Sequence, residues 1–78
     1  MGNIEKLKKA FSESLELPGE VVNDDLSYGS KSWDSIAHLS LVASIETEFD
    51  IMLSSDDVID MSSFKKAREI LSKYDIKF

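Results

Sequence analysis

Hydrophobic positions recur along this chain in steps of three and four, and the breaks between the periodic stretches are polar or turn-forming. Ile4, Leu7, Phe11 and Leu15 trace one helical face, with Lys6, Lys8, Lys9 and Glu13 on the wet side. Asn3 is placed to cap that first helix and Pro18-Gly19 to end it. A long connection follows, from Leu17 to about Asp34, with Val21, Val22, Leu26 and Tyr28 as anchors onto a core. A second helix is predicted over about Ser35 to Phe49, its apolar stripe being Ile36, Leu39, Val42, Ile45 and Phe49. Ser54-Ser55 opens a short segment with Asp56 and Asp57 in its first turn, where negative charge suits the helix dipole; it runs through Val58 and Ile59. Ser62 is then read as the cap of a last helix from about Ser63 to Lys73, with Phe64, Ala67, Ile70, Leu71 and Tyr74 turned inward. No alternation of strand type persists, and there is no repeat. The expected fold is all-α, a small four-helix bundle of three longer helices and one short, with a long first loop.

Length narrows this to one domain over residues 1–78, because a chain of 78 residues has no room for a second core. A domain this small buries only about 60% of its unfolded surface, so its stability depends on economical packing. No cysteine is present, which removes disulfides, thiolate ligands and thiol nucleophiles together. No apolar run approaches the ~20 residues of a membrane span. The start, Met1-Gly2-Asn3-Ile4-Glu5-Lys6, lacks the apolar centre of a signal peptide, so a cytoplasmic location is expected.

Charge changes the picture through its placement. The net charge is −6, but residues 16–60 hold eleven acids against Lys31 alone, while the flanks are basic. Nucleic acid is a poor partner for that acidic middle, whose charge repels phosphates. A basic protein surface would be attracted and steered. A solvated acidic face that merely keeps a small protein soluble explains the same charges.

The candidate chemistry gathers at Trp33-Asp34-Ser35-Ile36. Ser and Asp at a helix start accept hydrogen bonds from backbone N–H groups that lack intrahelical partners, and taken alone the pair is a cap. The same free N–H groups, with the helix dipole, favour a phosphate. Trp33 is either an anchor for the loop or an exposed aromatic for partners. Ser35 and His38 lie one turn apart, yet no strained Gly-x-Ser-x-Gly turn, oxyanion hole or orienting carboxylate accompanies them, so a hydrolase is not expected. His38 is read as a surface residue. Asp24-Asp25 and Asp56-Asp57 with Asp60 do not match the calcium-loop pattern, and no metal site is assigned.

With Asp34-Ser35-Ile36 at a helix start and Ile45-Glu46-Thr47-Glu48-Phe49-Asp50 at its end, the chain resembles the acyl carrier protein family over nearly its whole length. The resemblance implies a non-catalytic carrier with 4′-phosphopantetheine on Ser35, added from coenzyme A by a phosphopantetheinyl transferase. That arm would supply the thiol which the sequence lacks. It further implies docking to acyl- or aminoacyl-ligases and acyl-transferring enzymes through basic surfaces. The residues expected to meet them are Asp34, Ile36, Glu46, Glu48, Asp50, Asp56 and Asp57, on a monomer. In the family an acyl chain can shelter between the second helix and its neighbours, and Ala37, Ala43 and Ser44 are small enough to ease such an opening.

The chain also departs from the family. Where carriers of fatty-acid synthesis usually bear acids, it holds Ala37, Ser40, Glu46 and Thr47, so Glu46 alone is kept. Trp33-Asp34 does not match the Gly-Gly of peptidyl carriers. A carrier serving a specialised pathway is the expectation. An aminoacyl or D-alanyl carrier and an unmodified acidic interaction module are the alternatives.

Overall fold

The computed structural model describes residues 2–30 and 33–78; Met1, Ser32 and Lys31, the one base in the acidic middle, lie outside the described residues. Its helices are α1 (Asn3–Leu15), α2 (Ser35–Phe49), α3 (Ser55–Asp60) and α4 (Phe64–Ser72), with a 3₁₀ turn at Gly19–Val21. The fold is the expected all-α bundle of three longer helices and one short. No helix among the described residues is long and apolar enough to cross a membrane.

The helix ends refine the sequence reading. Gly2, not Asn3, is the N-cap of α1. Asn3 is already helical, and its side-chain amide donates to the carbonyl of Lys77 at 2.9 Å, tying the two ends of the chain together. α1 stops before Pro18: Glu16 turns into the left-handed region (φ 55°), and its N–H bonds back to the Ser12 carbonyl. At the last helix the cap is Ser63 rather than Ser62, its hydroxyl accepting from Lys66 N–H at 2.9 Å. Ser62, just before it, lends its carbonyl to the N–H of Tyr28 at 2.8 Å.

That bond belongs to the device that orders the long connection. Ser27 pairs with Ser63 in an isolated antiparallel bridge, and Phe64 N–H donates to the Leu26 carbonyl at 3.0 Å. Buried Val22 and Leu26 pin the segment to the core, as expected, whereas Tyr28 lies against the surface and stays partly exposed. Gly29 sits at φ +90°, where a side chain is strained, and its N–H reaches the Trp33 carbonyl at 2.9 Å. Trp33 is therefore a buried anchor, 1% exposed.

Phe11 of α1 stands at the centre of the core, edge-on to Trp33 at 5.2 Å and to Phe64 at 5.1 Å. Leu7, Leu15, Leu41, Ile45, Met61 and Leu71 close around it. Burying side chains of this kind contributes about 1.5–3 kcal/mol each.

The face of α2 differs from expectation. Ile36 and Leu39 are 78% and 67% exposed, while Leu41 is fully buried beside Val42 and Ile45. α2 carries apolar residues around more than one face, so spacing alone admits two stripes. The one that faces the core, where α2 lies against α1, is Ala37, Leu41, Ile45 and Phe49, spaced by four.

Candidate functional site

The site is built at the N-terminus of α2. Asp34 is the cap: its Oδ1 accepts from Ala37 N–H at 2.9 Å, and its carbonyl accepts from His38 N–H at 2.8 Å. Capping thus falls to Asp34, and Ser35, at the first helical position, is exposed with its hydroxyl not needed to close the helix end. Beside it α2 and α3 leave a groove of about 350 Å³. Ser35, His38 and Leu39 form one side, Val58 and Ile59 the other, and Tyr28 one end.

His38 is half-buried rather than a free surface residue. Its Nδ1 accepts from the Trp33 indole N–H at 2.9 Å, which fixes the tautomer, and its Nε2–H donates to the Val58 carbonyl at 2.8 Å. The ring stacks on Trp33, with centroids 5.9 Å apart. Both nitrogens are engaged, so the imidazole is not set up as a base for Ser35.

The acids separate by role. Asp34, Asp50 and Asp56 are exposed, and Glu48 is half-buried. Asp50 ends α2 in the left-handed conformation (φ 54°), which an aspartate tolerates. Glu46 turns inward along the loop after α2, its carboxylate accepting from Leu53 N–H at 2.9 Å. Asp57, expected on the docking face, is 6% exposed instead. Its carboxylate accepts from Lys73 Nζ and from the Tyr74 hydroxyl, both at 2.6 Å, while its own N–H donates to the Ser54 cap. The Lys73 ammonium, helped by the Tyr74 hydroxyl, holds the Asp57 carboxyl below the usual carboxylate range. In return Asp57 raises the Lys73 ammonium. Position in the first turn of a short helix did not distinguish Asp57 from Asp56; the tertiary partners on the far side did.

Apolar groups surround the serine. Ile36, Leu39 and Ile59 all expose most of their surface, and Leu39 with Ile59 lines the groove. Spacing places Leu39 on the apolar stripe of α2 and Ile59 in the short helix after Ser54, and identifies neither as a surface contact. The signal that identified them is a surplus of apolar residues over what one helical face can bury.

Over 79 aligned positions, 99% of both chains, the sequence is 29% identical to the acyl carrier protein of Buchnera aphidicola subsp. Acyrthosiphon pisum (strain Tuc7). It is 31% identical over 74 residues to that of Buchnera aphidicola subsp. Schizaphis graminum (strain Sg), covering 92% of this chain and 94% of the relative. No family model matches it.

Proposed function

This chain belongs to the acyl carrier protein family, and on that premise we propose that it holds acyl intermediates as thioesters on a 4′-phosphopantetheine arm borne by Ser35. The observation that carries the assignment is the division of labour at the α2 start: Asp34 caps the helix, which leaves the Ser35 hydroxyl exposed at the mouth of an apolar groove. The residues present suit such a group. A phosphodiester on Ser35 would lie at the N-terminal end of a helix of 15 residues, where the dipole favours negative charge. The chain contains no thiol of its own, and the arm's terminal thiol is what would form the thioester.

The role is that of a carrier, acting as one domain over residues 1–78, as a monomer in the cytoplasm. Its partners are a phosphopantetheinyl transferase and acyl-transferring enzymes with basic docking surfaces. Asp34, Glu48, Asp50 and Asp56 supply the accessible acids, and Ile36 with Leu39 an apolar contact. Asp57 is left out of this set, since its carboxylate is committed to Lys73 and Tyr74. Glu46, the one acid kept from the fatty-acid pattern, is partly spent on the Leu53 N–H. The thin acidic face along α2 supports service in a specialised pathway.

Incubation with coenzyme A and a promiscuous phosphopantetheinyl transferase, followed by intact-mass measurement, tests the reading. One phosphopantetheinyl mass should be gained by the wild type and none by Ser35→Ala. A wild type that gains no mass would return the chain to the status of an unmodified acidic interaction module.

A further inference from the structure

One hydrogen bond reaches across Ser35. It runs from the indole N–H of Trp33, two residues before the serine, to Nδ1 of His38, three residues after it, at 2.9 Å. The other ring nitrogen, Nε2, donates to the Val58 carbonyl of α3 at 2.8 Å. A single imidazole thus ties the segment that leads into Ser35, and the neighbouring helix, to the first turn of α2. The two rings stack with 24° between their planes, and Tyr28 stands edge-on to both.

Trp33 is also where the connection is fixed through its backbone. Its N–H donates to the Ser30 carbonyl at 3.1 Å, and its carbonyl accepts from Gly29 N–H at 2.9 Å. On the inner side the indole meets Phe11, an apolar contact that holds the ring in the core without setting its direction. The bond to His38 is directional, so it fixes the angle of the indole and of the backbone from which Asp34 and Ser35 follow. Ser35 is exposed and Asp34 does the capping, so the way the hydroxyl is presented follows from the backbone on either side of it. With Nδ1 accepting and Nε2 donating, the ring has no lone pair left for the serine.

We infer that His38 is a positioning residue for the modification of Ser35: by clamping Trp33 and α3 to α2 it holds the serine hydroxyl at one angle to the phosphopantetheinyl transferase. This rests on the carrier reading above. The transferase must bring that hydroxyl in line with the phosphate it receives, and a nucleophile already held in a reactive orientation reacts much faster than one that wanders. The accessible acids Asp34 and Asp56 remain on the surface with or without His38. Loss of the clamp should therefore be felt in kcat while KM is kept, the pattern of an interaction that serves the transition state alone.

The chain has one histidine and one tryptophan, so NMR reads each ring without overlap. In the wild type, His38 should show a protonated Nε2 and a bare Nδ1, and the Trp33 indole N–H should exchange slowly with solvent. Transferase kinetics with coenzyme A are then compared among variants. His38→Phe keeps a ring against the indole and loses both bonds; its kcat should fall about tenfold with KM within about twofold of the wild type. Its indole N–H should exchange faster. His38→Gln, whose amide offers an acceptor and a donor spaced much like the two ring nitrogens, should recover about half of the wild-type kcat or more. Trp33→Phe, which removes the donor, gives the same comparison where His38→Phe does not fold. The inference is overturned by a protonated Nδ1 in the wild type, by an unchanged kcat in His38→Phe or Trp33→Phe, or by a His38→Gln as slow as His38→Phe. A wild type that gains no phosphopantetheinyl mass brings down the carrier reading and this inference together, whereas a wild type and His38→Phe modified at equal rates bring down the inference alone.

Discussion

The Tyr74 hydroxyl donates to the Asp57 carboxylate across 2.6 Å, and that bond fastens α3 to the residues just beyond α4. Lys73 reaches the other carboxylate oxygen at the same distance, while Tyr74 also accepts the N–H of Ser54, the cap of α3. A helix of six residues is too short to stand alone, so this cluster, together with the His38 bond to the Val58 carbonyl, keeps α3, and with it one wall of the groove, in place.

Its consequence is a stability that falls in acid. Asp57 in the folded protein ionises below its ordinary value of 3.8 because the Lys73 ammonium and the Tyr74 hydroxyl stabilise its charge. The unfolded state therefore binds the proton more readily. The contribution is fully present above the ordinary carboxylate value and drains away as pH falls through the lower folded one. Asp57→Asn should be less stable than the wild type at neutral pH, and the gap should close below about pH 4, where carboxylates protonate. Thermal unfolding of both proteins across that range checks it; a constant gap would show that the charge of Asp57 is not what holds α3.

The register of α2 gives a second prediction. Leu41→Ala removes a fully buried side chain and should cost about 2–5 kcal/mol. Leu39→Ala, at a position 67% exposed, should fall within about 0.5 kcal/mol of the wild type. Denaturant unfolding of the two variants measures both, and a reversal of the order would restore the stripe read from spacing.

That pair also marks how far the sequence could be read. The bounds of α2 and the short helix after Ser54 were legible because Asp34 and Ser54 are local caps with few competitors. Which side of α2 faces the core was not, since Ile36, Leu39, Leu41, Val42 and Ile45 offer two stripes and only the position of α1 chooses between them. Ser35 stood out by its neighbours. The roles of Asp57 and His38 did not, because each is defined by groups distant in sequence: Lys73 and Tyr74 for one, Val58 for the other. The long connection is legible as a loop from Pro18-Gly19 and its lack of periodicity, but its order comes from the bridge between Ser27 and Ser63, which no local pattern announces.

A third prediction separates cap from attachment site. Asp34→Ala removes the bond to Ala37 N–H and should cost about 1 kcal/mol. Ser35→Ala, exposed and outside the capping bond, should stay within about 0.5 kcal/mol of the wild type. Thermal unfolding of the two proteins reads the contrast. Equal losses would mean that the Ser35 hydroxyl closes the helix after all.

The fourth concerns partner choice. Ala37 and Ser40 stand where fatty-acid carriers usually present acids, and the structure distinguishes the two positions. Ala37 packs against the core, so a carboxylate there would be pressed into apolar surroundings. Ser40 is exposed, and Ser40→Glu should fold as well as the wild type while adding a charge to the solvent face of α2. If docking to fatty-acid enzymes is steered by such charges, the variant should be used several-fold faster at low salt, chiefly through a faster association, and its advantage should shrink as salt is raised. The comparison is a fatty-acid elongation assay with both proteins fully modified at Ser35. A wild type that already matches Ser40→Glu at low salt would remove the case for a specialised pathway and assign the chain to bulk fatty-acid synthesis.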